Sequence, residues 1–497
     1  MRKIFVGLVI MALLVSGLFL TALPVSGRNV TLNVLITDPH TRVIEAWKPQ
    51  YEKETGVKIN IIEVPYSSLF DKMMMDFITR TGAYDLIIYP GGWAGDVMGG
   101  GWVLGLDNYI KEYGYPDWGD VTLAIQKVVK WGGKIYAFPY DGDCHMLYYR
   151  KDALENPEYQ KKFEEKYGYR YNVPPRTWKE ARDIAEFFNG WDWDNDGEIE
   201  YGIDFIAKRK TQAMWSLMDI AAQYAVLPGG PDKYRGVFFF DPETMEPLVN
   251  TPGWIEGMKM IKELAKFAPP GLLSYGYSEE RIAFVSGNAA MAIDWGDIGI
   301  MEQYPEKYGS KVKGLLGYAP LPGANKVWDR KQGKWIYKYN HVNFLDFGGW
   351  IVSIPKISKE SLEAYKFATW FTAPQRSIYD VCGLHGYTGA NPWRRSHFKN
   401  IDKWVEAGWS KDSVKAYLNA IWDILTDPGA LVDLRIPGTA KYYDYLDLYL
   451  ANVLAGQMDP EVACKKIHDS WVEITDTYEK DKQLKLYRES LGLPPLK

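Results

Sequence analysis

Strands and helices alternate along residues 30–90, and this order restricts the fold more than any other feature of the sequence. The hydrophobic pattern predicts strand, helix, strand, helix and strand over residues 30–36, 41–55, 57–64, 67–79 and 85–89. Such alternation is typical of an α/β fold with a mostly parallel sheet. In sheets of this kind, ligands bind in the loops at the carboxyl ends of the strands.

The N-terminal residues have the features of an export signal. Arg2 and Lys3 precede an apolar run over residues 4–15, and small residues at 25–27 suit cleavage by a signal peptidase. We therefore predict a signal peptide over residues 1–27 and an exported protein that is periplasmic or extracellular. Apolar residues resume before position 25, so an uncleaved segment that anchors the chain in a membrane stays open as an alternative.

The length and charge of the remaining chain restrict its organisation and partners. A mature chain of roughly 470 residues exceeds what one hydrophobic core serves, which predicts at least two domains. The formal net charge is -5, and loss of the two basic residues in the signal makes it about -7. This acidity argues against a nucleic-acid partner and is typical of a soluble surface, so we expect a monomer that diffuses freely.

Aromatic residues form 15% of the chain, and the 20 Trp and 35 Tyr together far outnumber the 19 Phe. Trp and Tyr each combine an apolar face with a polar edge. This combination suits a wet groove that holds a ligand with apolar faces and a hydroxylated rim, as a sugar has.

Several short motifs occur in a characteristic order. They comprise Gly-Lys-Ile-Tyr-Ala-Phe-Pro at 133–139, Pro-x-Thr-Trp at 175–178, Phe-x-x-Gly-x-Ala-Ala-Met at 284–291 and Gly-Gly-Trp at 348–350. In this order they resemble the extracellular solute-binding protein family of bacterial and archaeal ABC importers, in its sugar-binding, maltose-binding-protein-like branch.

The resemblance implies a two-lobed, periplasmic-binding-protein-like fold whose lobes are discontinuous in sequence and joined by a hinge. The expected N-terminal lobe comprises residues 28–140 plus 295–347, and the expected C-terminal lobe comprises 141–294 plus 348–497. The implied function is capture of a carbohydrate by hinge closure and delivery to the permease subunits of an ABC importer. The chain's length and aromatic content favour a di- or oligosaccharide, and no catalytic residue or catalytic cofactor is expected.

Candidate ligand-binding residues are aromatic and charged side chains at motif positions near the expected cleft. Aromatic rings pack against the C–H faces of a sugar, and carboxylates or Arg bind its hydroxyls. The candidates are Asp38, Trp93, Tyr140, Asp141, Trp295, Asp297, Trp350 and Arg435.

An acidic loop over residues 192–200 has the oxygen spacing of a calcium site. Carboxylates occupy its first, third and fifth positions and Gly its sixth. Ile203 stands where an EF-hand has a bidentate Glu, so the loop is not a standard EF-hand. The expected ligands of a structural Ca²⁺ are Asp192, Asp194, Asp196, Glu198 (through its carbonyl) and Glu200. The alternative is a solvated acidic turn.

Two other functions compete with transport. A secreted glycoside hydrolase also has Trp-rich grooves, and two of the 63 acidic residues could flank a glycosidic bond. A sugar-sensing protein could present its ligand to a membrane receptor with the same fold. The sequence has no Gly-x-Ser-x-Gly element and no zinc-ligand pair, which disfavours the common hydrolase classes.

Overall fold

A computed structural model describes residues 30–115, 117–345 and 348–496. The predicted signal peptide lies outside these residues. Within them, no helix is both long enough and apolar enough to cross a membrane.

The strands belong to two main sheets and three small ribbons. In chain order they are β1 (Thr31–Ile36), β2 (Lys58–Glu63), β3 (Leu86–Pro90), β4 (Lys130–Trp131), β5 (Lys134–Ile135), β6 (Phe138–Pro139), β7 (Met146–Arg150), β8 (Asp204–Phe205), β9 (Met291–Asp294), β10 (Leu316–Ala319), β11 (Val327–Asp329), β12 (Lys334–Ile336), β13 (Phe344–Leu345), β14 (Trp350–Ser353) and β15 (Leu431–Val432).

Helices cover both sheets. In chain order they are α1 (Thr41–Thr55), α2 (Tyr66–Thr79), α3 (Asp107–Tyr113), α4 (Leu123–Val128), α5 (Lys151–Leu154), α6 (Pro157–Tyr167), α7 (Trp178–Phe188), α8 (Ala213–Ala225), α9 (Pro252–Leu264), α10 (Tyr277–Val285), α11 (Asp297–Met301), α12 (Pro305–Tyr308), α13 (Ser361–Phe371), α14 (Pro374–Val381), α15 (Arg395–Lys399), α16 (Ile401–Glu406), α17 (Lys411–Leu425), α18 (Thr439–Leu454), α19 (Pro460–Thr477) and α20 (Lys480–Ser490).

The first lobe is built on a five-stranded sheet in the order β2-β1-β3-β14-β6. As the alternation predicts, β1 pairs in parallel with β2 and with β3. Strand β14 departs from this arrangement, because it runs antiparallel to both β3 and β6; β6 therefore has the same direction as β1, β2 and β3, and the sheet is mostly parallel. Strand β3 is buried along its whole length, as expected for a central strand covered by helices on both faces.

The second lobe is built on a four-stranded sheet in the order β10-β7-β9-β8. Here β7 pairs antiparallel with β10 and β9, and β8 pairs in parallel with β9. Helices α8 and α9 pack closely in this lobe, because Gly257 lies directly against the backbone of Ala221. Helices α18 and α19 cover the same region.

The sheet pairings correct the lobe boundaries that the sequence predicts. The resemblance predicts residues 295–347 in the N-terminal lobe, but β10 within them is bonded to β7 of the second sheet. It predicts residues 348–497 in the C-terminal lobe, but β14 is bonded to β3 of the first sheet. The chain therefore exchanges lobes between β10 and β14. The prediction failed because short buried strands have similar apolar sequences, and only long-range pairing decides which sheet each one joins.

Two connections pass each other between the lobes. One links β6 to β7 through residues 140–145, and the other enters β14. At the crossing Gly349 has a φ of 72°, and a Cβ added there would lie 2.2 Å from the carbonyl oxygen of Asp141. Only glycine allows both the backbone conformation and this close approach. The crossing places residues 141–143 beside Trp350, at the bottom of the cleft.

Candidate functional site

A cavity of about 40 Å³ lies between the two lobes. Its residues come from the loop after β1, the start of α2, the start of β14, helix α10, the segment after β9 and the connections between the lobes. They are Thr37, Asp38, Pro39, His40, Tyr66, Asp143, Gln212, Tyr277, Arg281, Trp295, Asp297, Trp350, Tyr387 and Gly389. The cavity thus lies at the carboxyl ends of β1 and β9, where α/β sheets bind ligands.

Aromatic rings from both lobes form much of the cavity wall. The ring of His40 packs on Trp350 with centroids 4.1 Å apart. In the second lobe, Trp295 packs against His145 at 3.9 Å and Trp215 at 6.2 Å. Burial, together with the nearby charges of Arg281 and Arg42, lowers the pKa of His40 to about 3, so its imidazole is neutral at physiological pH.

Arg281 is the centre of a buried ion network on the wall of the second lobe. Its Nε and Nη2 donate to the two carboxylate oxygens of Asp294 at 2.6 and 3.1 Å, and Nη2 also lies 3.1 Å from Oδ2 of Asp297. Its Nη1 donates to the hydroxyl of Tyr387 at 2.6 Å. Burial raises the pKa of Asp294 to about 6, although the guanidinium opposes this rise.

Two more carboxyl groups lie where the connections cross. Asp141 is fully buried and accepts hydrogen bonds from the backbone amides of Gly142 and Asn391 at 2.7 and 2.6 Å. The Asn391 amide group donates to Oδ1 of Asp143 at 2.8 Å. Burial raises the pKa of Asp141 to about 7, and burial together with Asp141 and Asp297 raises the pKa of Asp143 well above its usual range.

Residues 37–376 match the family model of bacterial extracellular solute-binding proteins, which is more than half of the chain. The chain belongs to this family. Its sequence is 24% identical over 325 residues to a mannitol-binding protein of Pseudomonas aeruginosa. That alignment covers 65% of this chain and 64% of the relative, so it spans just under two thirds of the relative's length.

Solved structures confirm the two-lobed fold of this solute-binding protein. An ABC transporter solute-binding protein from Agrobacterium radiobacter K84, in complex with ribitol, has a TM-score of 0.68 at 20% identity and covers 91% of this chain and 100% of its own. The maltose-bound MalE3 of T. maritima has a TM-score of 0.66 at 20% identity, with 90% and 100% coverage. At this identity the likeness establishes the fold.

The structure brings four of the eight predicted ligand-binding residues of this solute-binding protein into the cavity wall. They are Asp38, Trp295, Asp297 and Trp350. Asp38 is exposed at the mouth, where Arg42 donates to it at 3.1 Å. Each of the four lies within three residues of a strand end, which explains why loop position and motif together predicted them.

Three other predicted residues lie behind the wall and hold groups that line it. The ring of Trp93 stacks on Tyr66 at 5.9 Å. The Tyr140 hydroxyl donates to the carbonyl of His40 at 3.2 Å. Asp141 binds the backbone at Asn391, whose side chain reaches Asp143.

Arg435 lies elsewhere. Its guanidinium donates to the carbonyls of Lys127, Val128 and Lys130 at 3.2, 2.9 and 2.8 Å, so it joins two segments of backbone instead of facing the cavity. The resemblance predicts Arg435 at the cleft, because the family brings this late segment back towards the cleft. The direction of the side chain depends on carbonyls that are about three hundred residues away.

Sequence reasoning missed Asp143, Arg281 and Tyr387. Asp143 was detectable in principle, because it stands two residues after a chosen acid in the same crossing segment. Arg281 lies in an otherwise ordinary helix, and its partner Tyr387 is 106 residues away. No local pattern signals such a meeting.

The acidic loop over residues 192–200 forms a cluster of carboxylates, none of which lines the cavity. Ligand atoms of Asp192, Asp194, Asp196 and Glu200 lie within 4.8 Å of one another. The predicted fifth residue, Glu198, is exposed, and its backbone amide donates to Asp196. Arg150 and Lys311 pair with Asp194 and Asp196 at 3.1 and 2.9 Å. Burial, helped by the three neighbouring acids, raises the pKa of Glu200 to about 7.

Proposed function

We propose that this protein captures a carbohydrate in the cavity between its lobes and delivers it to the permease subunits of an ABC importer. The observation that carries the proposal is a cavity whose wall combines aromatic faces and polar groups from both lobes. Sugars need both kinds of contact, and a ligand that contacts both lobes stabilises the closed arrangement. This ligand class is supported by the similar proteins, which are a mannitol-binding protein and solute-binding proteins in complex with ribitol and with maltose.

Entry of the ligand requires the lobes to separate. The cavity of about 40 Å³ is much smaller than the roughly 300–1,000 Å³ of typical ligand pockets. The crossing connections at Asp141 and Gly349 provide a narrow link about which two lobes can rotate. We propose that hinge rotation opens the cleft and that closure around the carbohydrate forms the complex that the permease recognises.

We propose that the protein binds the carbohydrate and does not convert it. Incubation with oligosaccharides separates it from a secreted glycoside hydrolase, since turnover would contradict it. A sugar-sensing role is distinguished by uptake, because loss of the gene abolishes accumulation of the carbohydrate only if the protein feeds an importer. We further propose that residues 1–27 direct export to the periplasm or the cell exterior, and that the mature protein is a monomer.

A thermal-shift screen against polyols, monosaccharides and disaccharides should find a ligand that raises the unfolding temperature. At a concentration one hundred times its Kd, such a ligand adds about 2.7 kcal/mol to the unfolding free energy, because it binds the folded state alone. The size of the ligand that gives the largest increase also tests the prediction that the ligand is a di- or oligosaccharide. Absence of any shift across the whole panel would contradict carbohydrate capture.

For the acidic loop we propose a structural Ca²⁺ held by Asp192, Asp194, Asp196 and Glu200. Four clustered carboxylates suit a hard cation, and Arg150 and Lys311 neutralise part of their charge. Burial is the main cause of the raised pKa of Glu200, and repulsion by Asp192, Asp194 and Asp196 adds to it. A bound cation would relieve this repulsion.

Calcium should therefore raise the unfolding temperature above that measured in chelator. Asp192→Asn should abolish the increase, because it removes one of the four clustered carboxylates. Glu198→Gln is the matched control, since that side chain lies outside the cluster, and it should keep the full increase. Identical unfolding temperatures with calcium and with chelator would show that the loop is a solvated turn held by Arg150 and Lys311.

A further inference from the structure

The charges around the cavity are unbalanced. Asp38, Asp143 and Asp297 line it, whereas Arg281 is the one lining residue with a permanent positive charge in the described part of the chain. His40 is neutral because of its lowered pKa. Asp38 is neutralised by Arg42 at the mouth. The imbalance therefore lies deeper, around Asp143 and Asp297.

Arg281 is already engaged by the protein's own acids. Its hydrogen bonds to Asp294 and Tyr387 use three of the five N–H groups of a guanidinium, and its Nη2 also forms an ion pair with Asp297. Asp143 pairs with no basic side chain among the described residues: its Oδ1 accepts from the neutral amide of Asn391, its carboxyl group is hydrogen-bonded to that of Asp141, and Asp297 is a further acidic neighbour. Burial and the neighbouring acids raise the pKa of both Asp141 and Asp143, and an incoming cation would supply the counter-charge that their ionisation lacks.

Aromatic faces surround the same space. Trp295, Trp350, Tyr66, Tyr277 and Tyr387 all line the cavity, and the negative faces of aromatic rings attract cations. Aromatic side chains beside a carboxyl group that has no basic partner provide both contacts that an ammonium group requires. Hydroxyl groups of a neutral sugar would satisfy hydrogen bonds here, but they would leave the protons on Asp141 and Asp143.

We propose that the ligand is an aminated sugar or polyol whose protonated amine binds Asp143. This inference rests on the proposed function and narrows its ligand class. The carbon skeleton and hydroxyls would contact the aromatic wall and Gln212, while the ammonium group would supply the positive charge that the buried acids lack. Binding of the cation favours the ionised carboxylate, so the complex releases protons that Asp141 and Asp143 hold in the free protein.

Isothermal titration with matched ligand pairs tests the inference on the unmodified protein. The pairs are D-glucosamine with D-glucose, and 1-amino-1-deoxy-D-glucitol with D-glucitol, which differ only in the amine. We expect the amine of at least one pair to bind about tenfold or more tightly than its neutral partner, as a charge-assisted contact predicts. Repeating the titration at about pH 6.5 in two buffers with different ionisation enthalpies should reveal proton release for the amine alone.

Asp143→Asn keeps the shape of the side chain and removes its charge. This variant should bind the amine and its neutral partner with about equal affinity. Asp380→Asn is the matched control. Asp380 is similarly buried and has a pKa raised to about 6 by burial, but it binds Trp47 and His385 and does not line the cavity. This variant should retain the full preference.

The possible results distinguish failure of the amine proposal from failure of carbohydrate capture. Neutral members that bind as tightly as the amines in both pairs overturn the inference and leave carbohydrate capture intact. If no amine in the pairs binds but a neutral saccharide shifts the unfolding temperature, the inference fails in the same way. Failure of every saccharide and polyol, aminated or neutral, overturns both.

Discussion

Replacing Arg281 with methionine should lower the free energy of unfolding by about 3–5 kcal/mol at neutral pH. The guanidinium is 5% exposed and neutralises Asp294 and Asp297, which are themselves buried. Its removal leaves two carboxyl groups in a low-dielectric site without a counter-charge. Urea denaturation of the variant and of the unmodified protein measures the difference.

The deficit of this variant should depend on pH in a defined direction. Burial already raises the pKa of Asp294 to about 6 in the folded protein, above its value in an unfolded chain, so the folded state holds more protons. Without Arg281 the pKa values of Asp294 and Asp297 rise further. The unfolding free energy of the variant then decreases as pH increases. The difference from the unmodified protein should therefore be smaller near about pH 5 than near about pH 7.5.

Arg182→Met is the matched control for the loss of a guanidinium. Arg182 also pairs with two acids, Asp183 and Glu186, but its side chain is 30% exposed, and such pairs contribute about 0–1 kcal/mol. An Arg281→Met variant that loses no more stability than Arg182→Met, at any pH, would show that the buried network does not stabilise the fold.

Replacing Trp295 with alanine should cost about 3–5 kcal/mol of stability and also abolish the stabilisation that a ligand provides. Trp295 is 2% exposed, packs against His145 and Trp215, and presents the rest of its ring to the cavity. The substitution removes a large part of the second lobe's aromatic wall. Thermal unfolding with and without the best carbohydrate of the screen measures both effects.

Trp178→Ala separates the two effects. Trp178 is fully buried at the start of α7 and does not line the cavity, so its loss should destabilise the protein to a similar extent. The ligand-induced increase in unfolding temperature should survive in this variant. If Trp295→Ala also keeps that increase, the cavity between the lobes is not the carbohydrate site. Trp295→Phe, which keeps an aromatic face, should retain part of the increase.

The first lobe shows how far the sequence predicts local structure. The predicted helix over residues 41–55 coincides with α1, and the neighbouring strands differ from their predicted bounds by one residue at each end or less. These elements have strong periodicity and clear end signals, such as Gly56 with a φ of 77° after α1. The short strands β6, β8 and β13 have two residues each, too few to show a period.

The candidate site divides in the same way. Trp295 directly follows β9, Asp38 lies two residues after β1, and Trp350 begins β14, so local position predicted their place at the cavity. Arg281 and Asp143 line the cavity because a helix and a crossing connection bring them to its wall. Arg435 shows the opposite case, since its guanidinium donates to backbone carbonyls at the end of α4 and in β4 instead of facing the cavity.

The sequence by itself determined the family, through the order of motifs along the chain, and also the α/β class and the strand-to-loop positions of several site residues, because each motif and each element depends on neighbours within about a dozen residues. Only the tertiary structure decided which lobe β10 and β14 join, which acids surround Arg281 and which of the predicted site residues reach the cavity wall. Those outcomes depend on contacts between residues that are tens to hundreds of positions apart. Burial then changes their chemistry, since desolvation gives Asp143 and Asp294 pKa values that no isolated segment would have.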